Sequence, residues 1–247
     1  MKLRDNIKDR ILILDGAMGT MIQGYHLTEQ DFRGNLELLQ MLNYQGNNDM
    51  LNLSRPDIIE DIHRRYLEVG ADIISTNTFS AQRVSQADYH MESFSRDIAY
   101  AGAKLARKCA DEYSTADKPR YVAGSIGPTN KTCSMSPDVS DSAKRDLTYD
   151  ALFDAYSEQV AAMIEGGIDA VLIETIFDTL NAKVAIDASL SEMKKAGVDL
   201  PIMLSVTITD LSGRTLSGQT LDAFLASVSS YPIFSVGLNC SFGAEQM

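Results

Sequence analysis

Residues 149–174 read YDALFDAYSEQVAAMIEGGIDAVLIE. Leu152, Phe153, Tyr156, Val160, Met163 and Ile164 recur at helical spacing and keep one apolar face. Gly166 and Gly167 supply the stop. Residues 170–173 follow as a continuous apolar run, and Glu174 ends it. Continuous rather than alternating hydrophobicity marks a strand buried on both faces, which belongs in a parallel sheet. A helix, a glycine stop, a buried strand and a carboxylate at its carboxyl end together form one β/α repeat.

The same unit recurs in both directions. Strand-like runs lie at residues 11–14, 71–75, 121–123, 202–206 and 234–238. SRPDIIEDIHRRYLEVG opens on Pro56, keeps Ile58, Ile62, Tyr66 and Val69 on one face and closes at Gly70. Asp178 is placed to cap a helix running to Gly197. Six such runs without a composition break predict one α/β domain over residues 1–247. No GxGxxG or GxxxxGK[ST] follows any run, which weighs against a nucleotide-binding open sheet. The expected fold is a (β/α)8 TIM-type barrel, incomplete here: about six of the eight units are counted, and the chain is expected to stop before the last two strands. Residues 20–54, rich in Gly and Asn, read as an elaborated loop over the first strand's carboxyl end.

Composition narrows the partners. The chain has 247 residues, 45% of them hydrophobic, and a formal charge of −12. Such an acidic chain repels phosphate backbones and anionic lipid, so nucleic acid and membrane surfaces are not expected partners. No stretch approaches the roughly 18 apolar residues of a spanning helix. The charged start MKLRDNIKDR lacks a signal peptide's apolar region, so the expected location is cytoplasmic. Three widely spaced cysteines with no CxxC make a disulfide framework unexpected.

In a (β/α)8 barrel the carboxyl ends of the strands converge on one face, where active sites lie. Asp15 follows ILIL, Asn77 and Thr78 follow ADIIS, Ser125 follows YVAG, Glu174 follows AVLI, and Asn239 and Cys240 follow SVGL. The expectation is that Asp15, Ser125, Glu174 and Cys240 surround one cavity. A carboxylate ending a buried run needs a cation or several donors, so Asp15 and Glu174 read as an ammonium clamp or an acid–base pair, and otherwise as turn caps. The glycine-containing exits DGAMGT and GSIGPT read as tight turns, or as backbone N–H groups facing a small anion. Cys240 is a candidate zinc thiolate; a catalytic zinc takes three protein ligands, so one cysteine is only a corner of a site. Cys109 reads as helix packing and Cys133 as an ordinary loop thiol. His26, His63 and His90 show no ligand spacing.

Taken together, DGAMGTMIQ, GNNDMLNLSRPDII, GADIISTNTF, YVAGSIGPTN, LIETIFDTLNAK, TITDLSGRTLSGQT and GLNCSFG resemble the homocysteine S-methyltransferase family, and within it the N-terminal homocysteine-binding module of cobalamin-dependent methionine synthase. The resemblance implies a barrel carrying a three-cysteine zinc site, with Cys240 as first ligand and an adjacent cysteine pair near the last strand. It implies that Asp15 and Glu174 hold the amino group of homocysteine and that the Gly124–Ser125 turn meets its carboxylate. Asn77, Thr78 and Asn239 are expected to support these groups from behind. It further implies methionine formation, with the methyl group delivered by methylcobalamin on a separate module and regenerated from a folate-binding one. Ala17 stands where the family usually has a second glycine. The rival readings are a short homocysteine methyltransferase using betaine or S-methylmethionine, and a non-catalytic fragment. With one of three thiolates, the chain is expected to bind zinc weakly and to be inactive alone.

Overall fold

The computed structural model describes residues 3–36, 41–209, 212–240 and 243. Five strands form one parallel sheet in chain order. They are β1 (Ile73–Ser75), β2 (Tyr121–Ile126), β3 (Ala170–Ile176), β4 (Ile202–Val206) and β5 (Ile233–Leu238). Helices α1 (Pro56–Glu68), α2 (Ser95–Tyr113), α3 (Tyr149–Gly166), α4 (Thr179–Ala196) and α5 (Leu221–Val228) alternate with them. Consecutive parallel neighbours joined through helices are the winding of a (β/α) barrel, and this sheet is a partial TIM-type barrel.

The expected helix signals are where the chain places its caps. Pro56 occupies the first turn of α1. The Asp178 side chain accepts the Asn181 N–H at the start of α4 (3.0 Å). Gly167 and Gly197 end α3 and α4 at φ 97° and 68°, a backbone region that costs glycine no Cβ clash. The strands alternate between two apolar layers. Ile74, Val122, Val171, Ile173, Ile202, Leu204 and Val206 join the large core under the helices. Ile73, Tyr121, Ala123, Ala170 and Leu172 face inward, around Leu3 of the short helix Leu3–Asn6. Asn6 donates to the Tyr121 hydroxyl (3.3 Å). The amino-terminal end of the barrel is therefore plugged, and the opposite end is left for chemistry.

One expected strand is corrected. Residues 11–14 make a single parallel bridge, Leu14 to Ile73. They lie along β1 rather than between two neighbours, so Ile11 and Ile13 stay 83% and 55% exposed. Their anchor is ionic: Arg10 grips Asp72 with two bonds (2.9 and 2.7 Å), and Asp72 also accepts the Ile13 N–H. β2 runs further than the apolar run indicated, so Gly124 and Ser125 lie inside it instead of in a turn. Among the described residues no helix is long and apolar enough to cross a membrane.

Candidate functional site

A cavity of about 1190 Å³ lies at the carboxyl ends of the strands, and Asp15, Asn77, Ser125, Glu174, Asn239 and Cys240 all line it. Asp15 is delivered by the anchored segment, its N–H bound to the Ile73 carbonyl (2.9 Å). Its carboxylate accepts both the N–H and the hydroxyl of Ser75, each at 2.8 Å. Burial pushes its pKa up to about 7; the Ser75 bonds oppose this and the nearby charge of Glu174 adds to it. Glu174 takes a hydrogen bond from the Ser125 hydroxyl. Burial raises its pKa too, with Ser125 pulling the other way. Two desolvated carboxylates facing one space make a strong site for a single cation, because a cation offsets the burial cost of both.

The lining deepens this bias. Asp49 and Asp88 also border the cavity, and among the described residues no lysine, arginine or histidine does. Asp49 is 5% exposed, accepts the Ser80 N–H (3.0 Å), and burial lifts its pKa to about 7. Asp49 was not singled out from sequence because no apolar run precedes it.

The thiol corner is organised by Asn239. Its side-chain oxygen accepts from the Thr175 N–H (3.3 Å), the Ser205 hydroxyl (3.0 Å) and the Thr207 hydroxyl (3.3 Å). Its side-chain nitrogen donates to Thr175 Oγ1 (2.8 Å) and lies 3.4 Å from Cys240 Sγ. One amide thus ties together the ends of β3, β4 and β5. Thr175, next to Glu174, escaped notice in the sequence, where nothing marks its unusual backbone.

Of the remaining expected residues, Asn77 borders the cavity while bracing its wall, and Thr78 and Gly124 sit behind it. Asn77 is 5% exposed and bonds the Asn48 carbonyl (2.8 Å) and the Asn52 side chain (3.0 Å), bracing the elaborated loop. Thr78 is fully buried, with its hydroxyl on the Ser125 carbonyl (2.8 Å). The Gly124–Ser125 turn expected to meet a carboxylate takes a different form. The Ser125 N–H is donated to Thr76 Oγ1 (2.9 Å). A Cβ at Gly124 would meet Ile168 at 2.8 Å, so that position faces the helices and the glycine permits close packing there. Ser125 reaches the cavity through its hydroxyl. Cys109 is buried in α2 with its thiol pushed up to about 11 by burial, and Cys133 is buried in the loop after β2. None of the three histidines borders the cavity; His63 is buried in α1, where burial depresses its pKa to about 4.

A sheet wound in chain order, with carboxylates and a thiol at its carboxyl mouth, has the layout of a barrel-type active site whose lining favours a positively charged group. The family model for homocysteine S-methyltransferase matches residues 12–247, and the chain belongs to that family. Crystal structures of the homocysteine methyltransferase MmuM from Escherichia coli share the fold. The metallated form superposes with a TM-score of 0.74 at 20% identity, covering 99% of this chain and 79% of that one. The oxidized form gives 0.72 at 21% identity, covering 96% and 76%.

MmuM has a metallated form, so the donors around this cavity decide whether a metal fits here. Cys240 is the one cysteine at the cavity, and no group of three or more His, Cys, Asp or Glu among the described residues is placed to hold a metal ion. A catalytic zinc takes three protein ligands. The described residues do not complete such a site.

Proposed function

We propose that this chain binds homocysteine as the methyl acceptor, with Asp15 and Glu174 holding its ammonium group and its sulfur directed toward Cys240. The observation that carries this reading is the pair of desolvated, mutually repelling carboxylates in one cavity that has no basic side chain among its described lining residues. Ser75 and Ser125 orient the pair, so neither carboxylate must reorganise when the ammonium arrives. The acceptor thiol gives up its proton to solvent, its sulfur bonds to a methyl carbon, and the donor leaves with the electron pair of the bond that breaks.

The cobalamin-dependent reading rests on the long sequence strings, GNNDMLNLSRPDII and TLSGQT above all. On it, the donor is methylcobalamin carried by a separate module, a folate-binding module recharges it, and Cys240 contributes one thiolate to a zinc site. The second reading, a sulfonium or betaine donor, is favoured by the acidic cavity, which suits a positively charged donor. Calorimetric titration with homocysteine tests the core proposal: binding that Asp15→Asn and Glu174→Gln each weaken at least tenfold is expected, and no effect of either would overturn it. Methyl transfer to homocysteine by the full-length gene product, assayed separately with methylcobalamin, S-methylmethionine and betaine, separates the donors.

A further inference from the structure

Thr175 has a backbone that its side chain disfavours. Its φ is 58°, a left-handed conformation in which a β-branched residue is rare and costly. Cys240 has φ 60°. Thr175 lies near the end of β3 and Cys240 follows β5, with β4 between the two strands, yet their side chains approach each other at the barrel mouth, Thr175 Oγ1 to Cys240 Sγ at 4.0 Å. The pairing of β3 with β4 shifts register between Ile173 and Ile176, so the irregularity spans Glu174 and Thr175. Bulges of this kind re-aim a side chain at the edge of a site.

The strain is held by a specific clasp. Asn239 accepts the Thr175 N–H and donates to its hydroxyl, closing a two-bond ring on one residue. The Asn239 oxygen is held in turn by Ser205 and Thr207 of the neighbouring stretch. The same Asn239 nitrogen reaches Cys240 Sγ. On one side of Thr175 is the carboxylate that Ser125 orients; on the other is the thiol. A residue held in a costly conformation by this many bonds is over-determined by its surroundings, which is the pattern of a functional constraint.

We propose that Thr175 is a positioning residue that holds the Glu174 carboxylate and the Cys240 thiol at a set separation, so that an amino acid of homocysteine's length is gripped at both ends. This rests on the homocysteine reading above and adds how chain length is selected. Loss of the hydroxyl removes the bond from the Asn239 side-chain nitrogen and leaves Thr175 held by its N–H alone, so the two ends of the site no longer keep their span.

The test compares homocysteine with cysteine, one methylene shorter, by calorimetric titration of the whole chain under reducing conditions. The wild-type chain is expected to prefer homocysteine by about tenfold or more, the usual range for one methylene in a fitted site. Thr175→Val keeps the branched shape and deletes the hydroxyl; it is expected to bring the preference within about threefold. Thr175→Ser is expected to restore it. Asn239→Asp, which keeps the acceptors and removes the donor to Thr175, is expected to lose it as Thr175→Val does, and serves if that variant does not fold. A purely structural role would weaken both ligands alike and leave their ratio unchanged. A selective wild-type chain whose ratio survives in both variants overturns this inference alone. A wild-type chain that binds neither amino acid overturns the homocysteine reading and this inference with it.

Discussion

At the scale of single residues, the site works by keeping charge where water is scarce. Asp15 has three hydrogen-bonding contacts close by, yet burial and the charge of Glu174 still lift its pKa to about 7. Below that pH it is neutral and cannot pair with an ammonium group. Homocysteine affinity is therefore expected to fall by up to about tenfold per pH unit as pH drops below about 7, measured by titration from pH 8 to pH 5. A flat profile would mean that Asp15 does not meet the ammonium. The same shift has a stability consequence. A carboxylate whose folded pKa is raised favours folding at low pH, where it holds its proton; that advantage is lost as pH climbs from the ordinary value toward 7. Asp15→Asn removes the charge, so its stability relative to wild type should rise by on the order of 2 kcal/mol between pH 5 and pH 8, read from urea unfolding. Glu174 and Cys240 were legible in the sequence because the apolar runs before them are strands, whose ends fix where such residues point; Asp15 was legible from its apolar run too, although that run makes one bridge and Asp15 is held by its bond to Ile73 instead. Asp49 and Thr175 were not. Asp49 reaches the cavity from the short 3-10 helix Asn48–Met50, with no apolar run before it, and the left-handed backbone at Thr175 goes with contacts to residues far along the chain.

At the scale of elements, periodicity and glycine stops located the helices well, since both are local signals. Strand limits depended on neighbours. β2 continues through Gly124 and Ser125 because β3 pairs with both, and residues 11–14 fall short of a strand because their pairing amounts to one bridge. Helix packing adds a constraint that composition hides. At the end of α3, a Cβ on Gly166 would sit 2.4 Å from the Cβ of Ala103 on α2 and 3.1 Å from the Tyr100 carbonyl oxygen. The two helices approach closely there, and Ala103 is fully buried. Gly166→Ala improves helix propensity, yet the overlap should dominate and destabilise the chain by about 1–3 kcal/mol in urea unfolding. Adding Ala103→Gly should recover part of that loss, because it removes the atom struck. Strict additivity of the two substitutions would show that the helices separate freely instead.

At the scale of the whole molecule, the parallel sheet has two ends that differ from its middle. β5 pairs with β4, and among the described residues its other side has no strand against it. At the opposite end the anchored segment leaves Ile11 and Ile13 exposed, and on β5 Val236 is 40% exposed. Unpaired backbone beside apolar side chains is a template for association. Against it stands the formal charge of −12, which makes copies of the chain repel one another. That repulsion acts at long range and is screened by salt, whereas apolar contact is not. The balance predicts a distinctive salt response. Light scattering should show little association at about 0.05 M salt and concentration-dependent association at about 0.5 M. Ile11→Lys combined with Ile13→Lys should suppress it without affecting homocysteine binding, since neither side chain borders the cavity. A monodisperse monomer at every salt and protein concentration would mean that the exposed edges do not pair, and that charge alone does not set the solution state.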